Sequence, residues 1–140
     1  MRALSIRQPY AELILRGIKT AEFRSRRTHL LNERFYLYAA KGPMRSRAID
    51  PVAEGLRIWS DDLAVPGRER GAEPPDWMME LAEQLILGKL PTGVIVGTAR
   101  INACHAHDNK LFAWQLADVE RLEKPITPER QPQPAWFRPF

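Results

Sequence analysis

The chain has 140 residues, of which 44% are hydrophobic and 27% are charged, and its formal net charge is +4. These values are ordinary for a globular domain of about 100–150 residues, so they exclude wholesale disorder and two full hydrophobic cores. No apolar run approaches the roughly 20 residues of a membrane span, and the first residues contain no signal-peptide core. We therefore expect one domain over residues 1–140, without a membrane segment. The single cysteine, Cys104, cannot form an internal disulfide and suits the reducing cytoplasm.

The first 40 residues predict strands and one short helix. Residues 3–6 have the composition of a short strand, and Pro9 should occupy the first position of a helix, where the missing N–H of proline costs nothing. Gly17 should end that helix in a left-handed conformation. Residues 34–40 are strongly β-prone and apolar throughout, which predicts a strand buried on both faces.

A change of hydrophobic period marks the segment between the helix and that strand. From Lys19 onward, apolar and polar residues alternate, which predicts a half-buried strand. In this interpretation Ala21 and Phe23 face the core, while Glu22 and Arg24 form a polar row on the other face.

The rest of the chain predicts further helices, two strands and an irregular tail. In chain order these are a helix interrupted by Pro51 over residues 45–56, a polar loop over 68–75, a helix over 77–87 capped by Asp76 and ended by Gly88, and strands over 93–101 and 111–122. Five of the twelve prolines lie in the last sixteen residues, which predicts an extended, Pro-rich tail over about residues 124–140. Strands and helices without a regular βαβ rhythm indicate an α+β domain with a small curled sheet or barrel.

Residues 5–24 carry the most specific motif, S-I-R-Q-P-Y-A-E-L-I-L-R-G-I-K-T-A-E-F-R. This segment resembles the ASCH domain of the PUA-like superfamily, whose pattern is Q-P-aromatic-A-x-x-I-x-x-G-x-K-T-x-E-x-R. The matching positions are Gln8, Pro9, Tyr10, Ala11, Ile14, Gly17, Lys19, Thr20, Glu22 and Arg24. The later strands also agree, so the resemblance covers nearly the whole chain. It implies a small β-barrel with flanking helices, and a cleft beside the helix–strand turn that is associated in relatives with RNA or modified nucleosides.

Three side chains of the motif form the candidate site. Lys19 comes directly after the helix, and Glu22 and Arg24 share one strand face, so together they can bind a phosphate and move a proton. Spacing alone favours a structural interpretation, in which Glu22 pairs with Arg24 and Lys19 interacts with the helix dipole. The resemblance favours the functional one. We expect Lys19 at the surface, where substitution by alanine would leave stability nearly unchanged.

Four further residues complete the predicted site. Gln8, Lys41 and His105 are candidate ligand contacts, and Thr20 is a weaker catalytic candidate beside Lys19 and Glu22. In the amidohydrolase branch of the resembled family, the threonine lies two residues beyond the Lys-Thr pair, where this chain has Glu22. One cysteine and three histidines provide no convincing ligand set, so we expect no metal and no cofactor.

The charge distribution indicates a phosphate-bearing partner. Residues 1–47 contain eleven Lys or Arg against three acids, a net charge of +8 within a chain of +4. The sequence therefore predicts binding of RNA or a modified nucleotide or nucleoside. Metal-independent hydrolysis, as in a ribonuclease or a nucleoside amidohydrolase, stays open. The alternative is a protein-interaction module of a transcription-related system without catalysis. The oligomeric state is left open, and a monomer is compatible with the sequence.

Overall fold

The computed structural model describes residues 1–41, 76–108 and 110–140. The predicted helix over residues 45–56 and the loop over 68–75 lie outside these residues. The elements in chain order are β1 (Ala3–Arg7), α1 (Tyr10–Leu15), β2 (Ala21–Arg24), β3 (Arg34–Ala40), α2 (Asp76–Ile86), β4 (Val94–Ala106), β5 (Phe112–Ile126) and β6 (Trp136–Phe137). No described helix is both long enough and apolar enough to cross a membrane.

The six strands form one curled sheet in the order β2-β5-β4-β3-β1-β6. β1 and β3 are parallel, and the other neighbours are antiparallel. Register shifts interrupt the long β4–β5 ladder three times, and such irregularities bend a sheet. The curvature brings β2 back toward β1, where the Arg24 guanidinium donates to the carbonyl oxygen of Ser5 over 2.9 Å. The sheet is a half-barrel with a seam between β2 and β1, which confirms the predicted α+β class.

Both faces of the sheet carry apolar clusters. The main cluster fills the concave face and includes Leu37, Ile101 and Trp114, with Ile14 of α1 packed into it. A smaller cluster on the other face contains Tyr38, which is buried like Leu37 and Ala39 on either side of it in β3. β3 is therefore buried on both faces along its centre, as its sequence predicts.

The boundaries of the elements differ from the predictions by a few residues. Pro9 is the residue before α1 and not its first helical residue, while Gly17 has a φ of +75° and ends the helix turn as predicted. β4 continues to Ala106, five residues beyond its predicted end, because its last residues pair with the start of β5. The tail contains no helix among its described residues, and β6 fixes it against β1.

A buried carboxylate joins α1 to β5. Glu12 is 6% exposed and accepts two hydrogen bonds from Arg121, at 3.1 and 2.8 Å, and one from Arg16 at 3.1 Å. Burial opposes ionisation of Glu12, but the hydrogen bonds and positive charges of Arg121 and Arg16 outweigh it and hold the pKa of this carboxyl below its ordinary value of 4.5.

Replacing Glu12 with glutamine should lower the free energy of unfolding by about 1–2 kcal/mol at pH 7, since Arg121 is half exposed and its pairing is partly screened. A lowered folded-state pKa stabilises the protein above the unfolded pKa, and this contribution is lost as pH falls through the folded value. The difference between wild type and Glu12→Gln should therefore shrink below about pH 4.5. Denaturant unfolding from pH 3 to 7 measures it, with the exposed Glu120→Gln as control. A difference that does not change with pH would contradict the assigned ion pairs.

Candidate nucleic-acid interface

The polar row of β2 faces the inside of the half-barrel, which corrects the predicted orientation. Glu22 lies directly opposite Trp114 of β5, and directly opposed residues of antiparallel strands share a face. Trp114 belongs to the main core cluster, and the Arg24 guanidinium carbon is 5.9 Å from its ring centroid. On the other face of β2, Ala21 is buried as predicted, while Phe23 is only partly buried and joins none of the apolar clusters of the described residues. β2 is an edge strand beside the seam, so its inward polar side chains reach a cleft instead of the core.

Lys19 is buried and not at the surface, which is a second correction. Its side chain is 7% exposed, and its Nζ lies 3.9 Å from Oε2 of Glu22, whose side chain is 12% exposed. The ammonium group also lies 5.5 Å from the Tyr10 ring centroid and 5.1 Å from that of Phe23. Substituting Lys19 by alanine would leave the Glu22 carboxylate without this cation, and losing one partner of a buried ion pair is destabilising.

Arg24 connects the candidate site to the fold. Its Nε donates to Oε1 of Glu22 over 3.1 Å, while another nitrogen of the same guanidinium makes the seam-closing bond to Ser5. Oε2 of Glu22 is shielded from solvent and has no hydrogen-bond partner among the described residues. The structure thus brings Lys19, Glu22 and Arg24 together as one charged cluster, as the motif predicts.

An open cleft of about 780 Å³ lies against this cluster. Its walls are the ends of β1 and β3, the strand β2, and residues 131–135 of the tail. Ser5 holds the tail in place, because its N–H donates to the Ala135 carbonyl over 2.9 Å and its hydroxyl donates to the Gln133 carbonyl over 2.8 Å. The Pro-rich tail is therefore a wall of the cleft and does not fill it.

Among the described residues, three cations and one carboxylate line the cleft. Arg7 and Lys41 are exposed, and neither forms an ion pair with a carboxylate among the residues described. The Lys41 side chain lies over Gly93, where an added Cβ would overlap it. Arg24 and Glu22 supply the other two charges. Arg24 is paired with Glu22, so the positive charge that no described carboxylate compensates is that of Arg7 and Lys41.

Four of the predicted site residues lie outside the lining of the cleft, and the first of them is the buried Lys19. The buried amide of Gln8 donates to the Pro91 carbonyl over 2.9 Å and accepts from the Glu12 N–H over 3.0 Å, so it holds the first turn of α1. Thr20 is exposed just before β2. His105 is exposed near the end of β4, with Nε2 at 3.4 Å from the Gln115 amide nitrogen.

Sequence reasoning missed several features of the cleft. Arg7 ends β1 and lies within the motif segment, and its position directly before Gln8, the first residue that matches the family pattern, was the available signal. Tyr38 also lines the cleft although it is buried as a core residue, and burial raises the pKa of its hydroxyl. In the described ranges, no group of three or more His, Cys, Asp or Glu residues could hold a metal ion.

Comparisons with known proteins agree with this architecture. The sequence model of the ASCH domain matches residues 4–136. Among solved structures, the crystal structure of ASCH from Zymomonas mobilis is similar with a TM-score of 0.54, at 15% sequence identity, covering 97% of this chain and 85% of that chain. At this identity the likeness shows the shared fold alone. A comparison with curated proteins found no match.

Proposed function

The chain belongs to the ASCH domain family, with its PUA-like fold, and on this basis we propose that the cleft between β2, β1 and the tail binds single-stranded RNA or a modified nucleotide. Members of the family are generally thought to bind RNA. The observation that carries the proposal is the pair of exposed cations, Arg7 and Lys41, that line a cleft of about 780 Å³ without a carboxylate partner among the described residues.

The charges of the cleft give the bound nucleotide an orientation. Arg7 and Lys41 are suited to phosphate, which guanidinium and ammonium groups bind through charge-assisted hydrogen bonds. Lys19 and Arg24 are already paired with Glu22, so the cations left for phosphate are Arg7 and Lys41, and the base or sugar lies on the side of Glu22 and Arg24. Tyr10 adds aromatic surface to the lining, and unpaired bases bind aromatic side chains.

Salt dependence tests the proposed function. If three to five phosphates are neutralised, the logarithm of the binding constant should fall with the logarithm of salt concentration with a slope of about −2 to −3.5. Fluorescence anisotropy with a labelled RNA octamer of random sequence measures this slope. Binding that does not depend on salt, or no binding at low salt, would contradict the proposal and leave the protein-interaction module as the better account.

Hydrolysis of RNA or of an acylated nucleoside is a second candidate, favoured by the 3.9 Å separation of Lys19 and Glu22 beside Arg24. In this mechanism Glu22 accepts the proton of the attacking hydroxyl or water as the new bond to phosphorus or to the acyl carbon forms. The protonated Glu22 then returns that proton to the leaving oxygen or nitrogen as the old bond breaks. Lys19 and Arg24 stabilise the negative charge that develops on the substrate. The cluster is nearly enclosed, so a substrate group would reach it from the cleft.

Turnover by this mechanism should persist in excess chelator, because its proton acceptor and its cations are all side chains of the chain. It should fall at least about 100-fold in Glu22→Gln, since general acid–base catalysis typically contributes 10²–10⁴-fold. The measurement is product formation from RNA and from an acylated nucleoside, with Glu120→Gln as a control distant from the cleft. Inactivation by chelator, or full activity of Glu22→Gln, would contradict the mechanism.

A further inference from the structure

A second groove, of about 400 Å³, lies at the opposite end of β1 from the cleft. Its lining includes the cations Arg2, Arg34 and Arg138, the aromatic residues Phe35 and Trp136, and one carboxylate, Glu33. Arg2 and Arg138 are exposed and pair with no carboxylate in the described part of the chain. Arg34 differs, because it donates to the Thr98 hydroxyl over 2.7 Å and to the Asp118 carbonyl over 3.0 Å and so serves the fold. The groove therefore presents two guanidinium groups that form no ion pair among the described residues, and three cations against the single carboxylate of Glu33.

The same groove contains a firmly held indole. Trp136 is partly exposed, and its ring packs edge-to-face against Phe35 with centroids 5.0 Å apart. It also lies nearly parallel to Trp114, at 6.0 Å and an interplanar angle of 14°. Two aromatic contacts therefore hold the Trp136 ring in place beside the guanidinium groups of Arg2 and Arg138. In sites of this composition, a base stacks on the ring and the cations bind the neighbouring phosphates.

Two segments of the chain run from the cleft to the groove. Tail residues 131–135 line the cleft, and the next residues, Trp136 and Arg138, line the groove. On the other side, Arg24 lines the cleft and Arg34 lines the groove, and the connection between them carries the exposed Arg26 and Arg27. Along this edge, Arg2 of the groove and Arg7 of the cleft are five residues apart, or about 17 Å at the usual strand rise. Both segments therefore connect the two sites, which lie within reach of one short strand of RNA.

We propose that the groove beside Trp136 is a second nucleotide subsite, so that one RNA strand of several nucleotides runs along the seam from the cleft to the groove. Arg2 and Arg138 contact its phosphates, and Trp136 contacts a base. This inference rests on the proposed function, since it extends the same RNA-binding surface.

Length-dependent binding tests the second subsite. Wild type should bind a labelled random RNA octamer at least about tenfold more tightly than a labelled random dinucleotide, because only the octamer spans both sites. The double variant Arg2→Ala/Arg138→Ala should lose most of this advantage while binding the dinucleotide as wild type does. Its salt slope for the octamer should be smaller in magnitude by about 1.4, as expected for the loss of two phosphate contacts.

The charge-matched control is Lys110→Ala/Lys124→Ala, which removes two exposed lysines that line neither site. A thermal melt confirms that each variant is folded. If Arg2→Ala/Arg138→Ala binds the octamer like this control, or if wild type binds both lengths equally, the second subsite is wrong while the cleft proposal stands. If wild type binds neither RNA at low salt, the proposed function fails as well.

Discussion

Replacing both Arg7 and Lys41 with alanine should weaken binding of an RNA octamer about 100-fold at low salt. A hydrogen bond to a charged group contributes about 1.5–3 kcal/mol, and about 1.4 kcal/mol corresponds to a factor of ten in affinity. The two side chains line the same cleft, and neither has a carboxylate partner among the described residues, so each should contribute at least about one factor of ten.

This double variant should keep its fold, because both residues are exposed and surface substitutions usually change stability by less than about 0.5 kcal/mol. Lys110→Ala/Lys124→Ala removes the same charge elsewhere and should weaken binding only through the reduced net charge. Anisotropy titrations of the three proteins in one buffer make the comparison. Equal losses in the two double variants would mean that binding follows net charge and not the cleft.

Gly97→Ala should lower the free energy of unfolding by about 3 kcal/mol, at the upper end of the usual cost of overpacking. A Cβ on this β4 residue would lie 2.5 Å from Cδ2 of Leu15 and 2.6 Å from the carbonyl oxygen of Glu120. Leu15 can shift, but the Glu120 carbonyl belongs to the backbone of β5. Relief of the overlap must therefore disturb the β4–β5 ladder or displace α1, which precedes the turn that places Lys19.

Gly17→Ala is the matched control for this substitution. Its added Cβ would meet no atom within 4 Å, so only the positive φ of 75° is penalised, at about 1–2 kcal/mol. Urea unfolding of both variants should rank Gly97→Ala as clearly the less stable. If Gly97→Ala costs no more than Gly17→Ala, then α1 and β5 do not approach β4 as closely as described.

The local structure of this chain could be predicted well because each signal acts over a few residues. Gly17 ends α1, and the β-prone run over residues 34–40 forms β3 with the predicted bounds. The motif also predicted that Lys19, Glu22 and Arg24 lie close together. Glu22 and Arg24 share one face of β2, and Lys19 lies in the turn directly before that strand. The ends of β4 and β5 could not be predicted from local sequence. The residues beyond the predicted end of each strand are in strand conformation because they pair with the other strand.

The orientation of β2 and the walls of the cleft depend on contacts between distant segments. Alternation gives two faces for β2 but does not say which is inside, and the usual assumption placed Phe23 in the core. Closure of the half-barrel by the Arg24–Ser5 bond reverses this, and it also buries Lys19 against Glu22. The tail became a wall of the cleft through its hydrogen bonds to Ser5, about 130 positions away in the chain, a pairing that no local pattern indicates.

A titration of isotope-labelled protein with a random RNA octamer, followed by backbone amide chemical shifts, tests whether RNA binds in the cleft between β1, β2 and the tail. We predict that the largest shifts fall on the amides of Ser5 to Arg7, of Glu22 to Arg24, of Lys41, and of Gln131, Gln133 and Ala135, since these residues line the cleft. Shifts concentrated instead on α2, or absent from all of these segments while RNA binds, would contradict it.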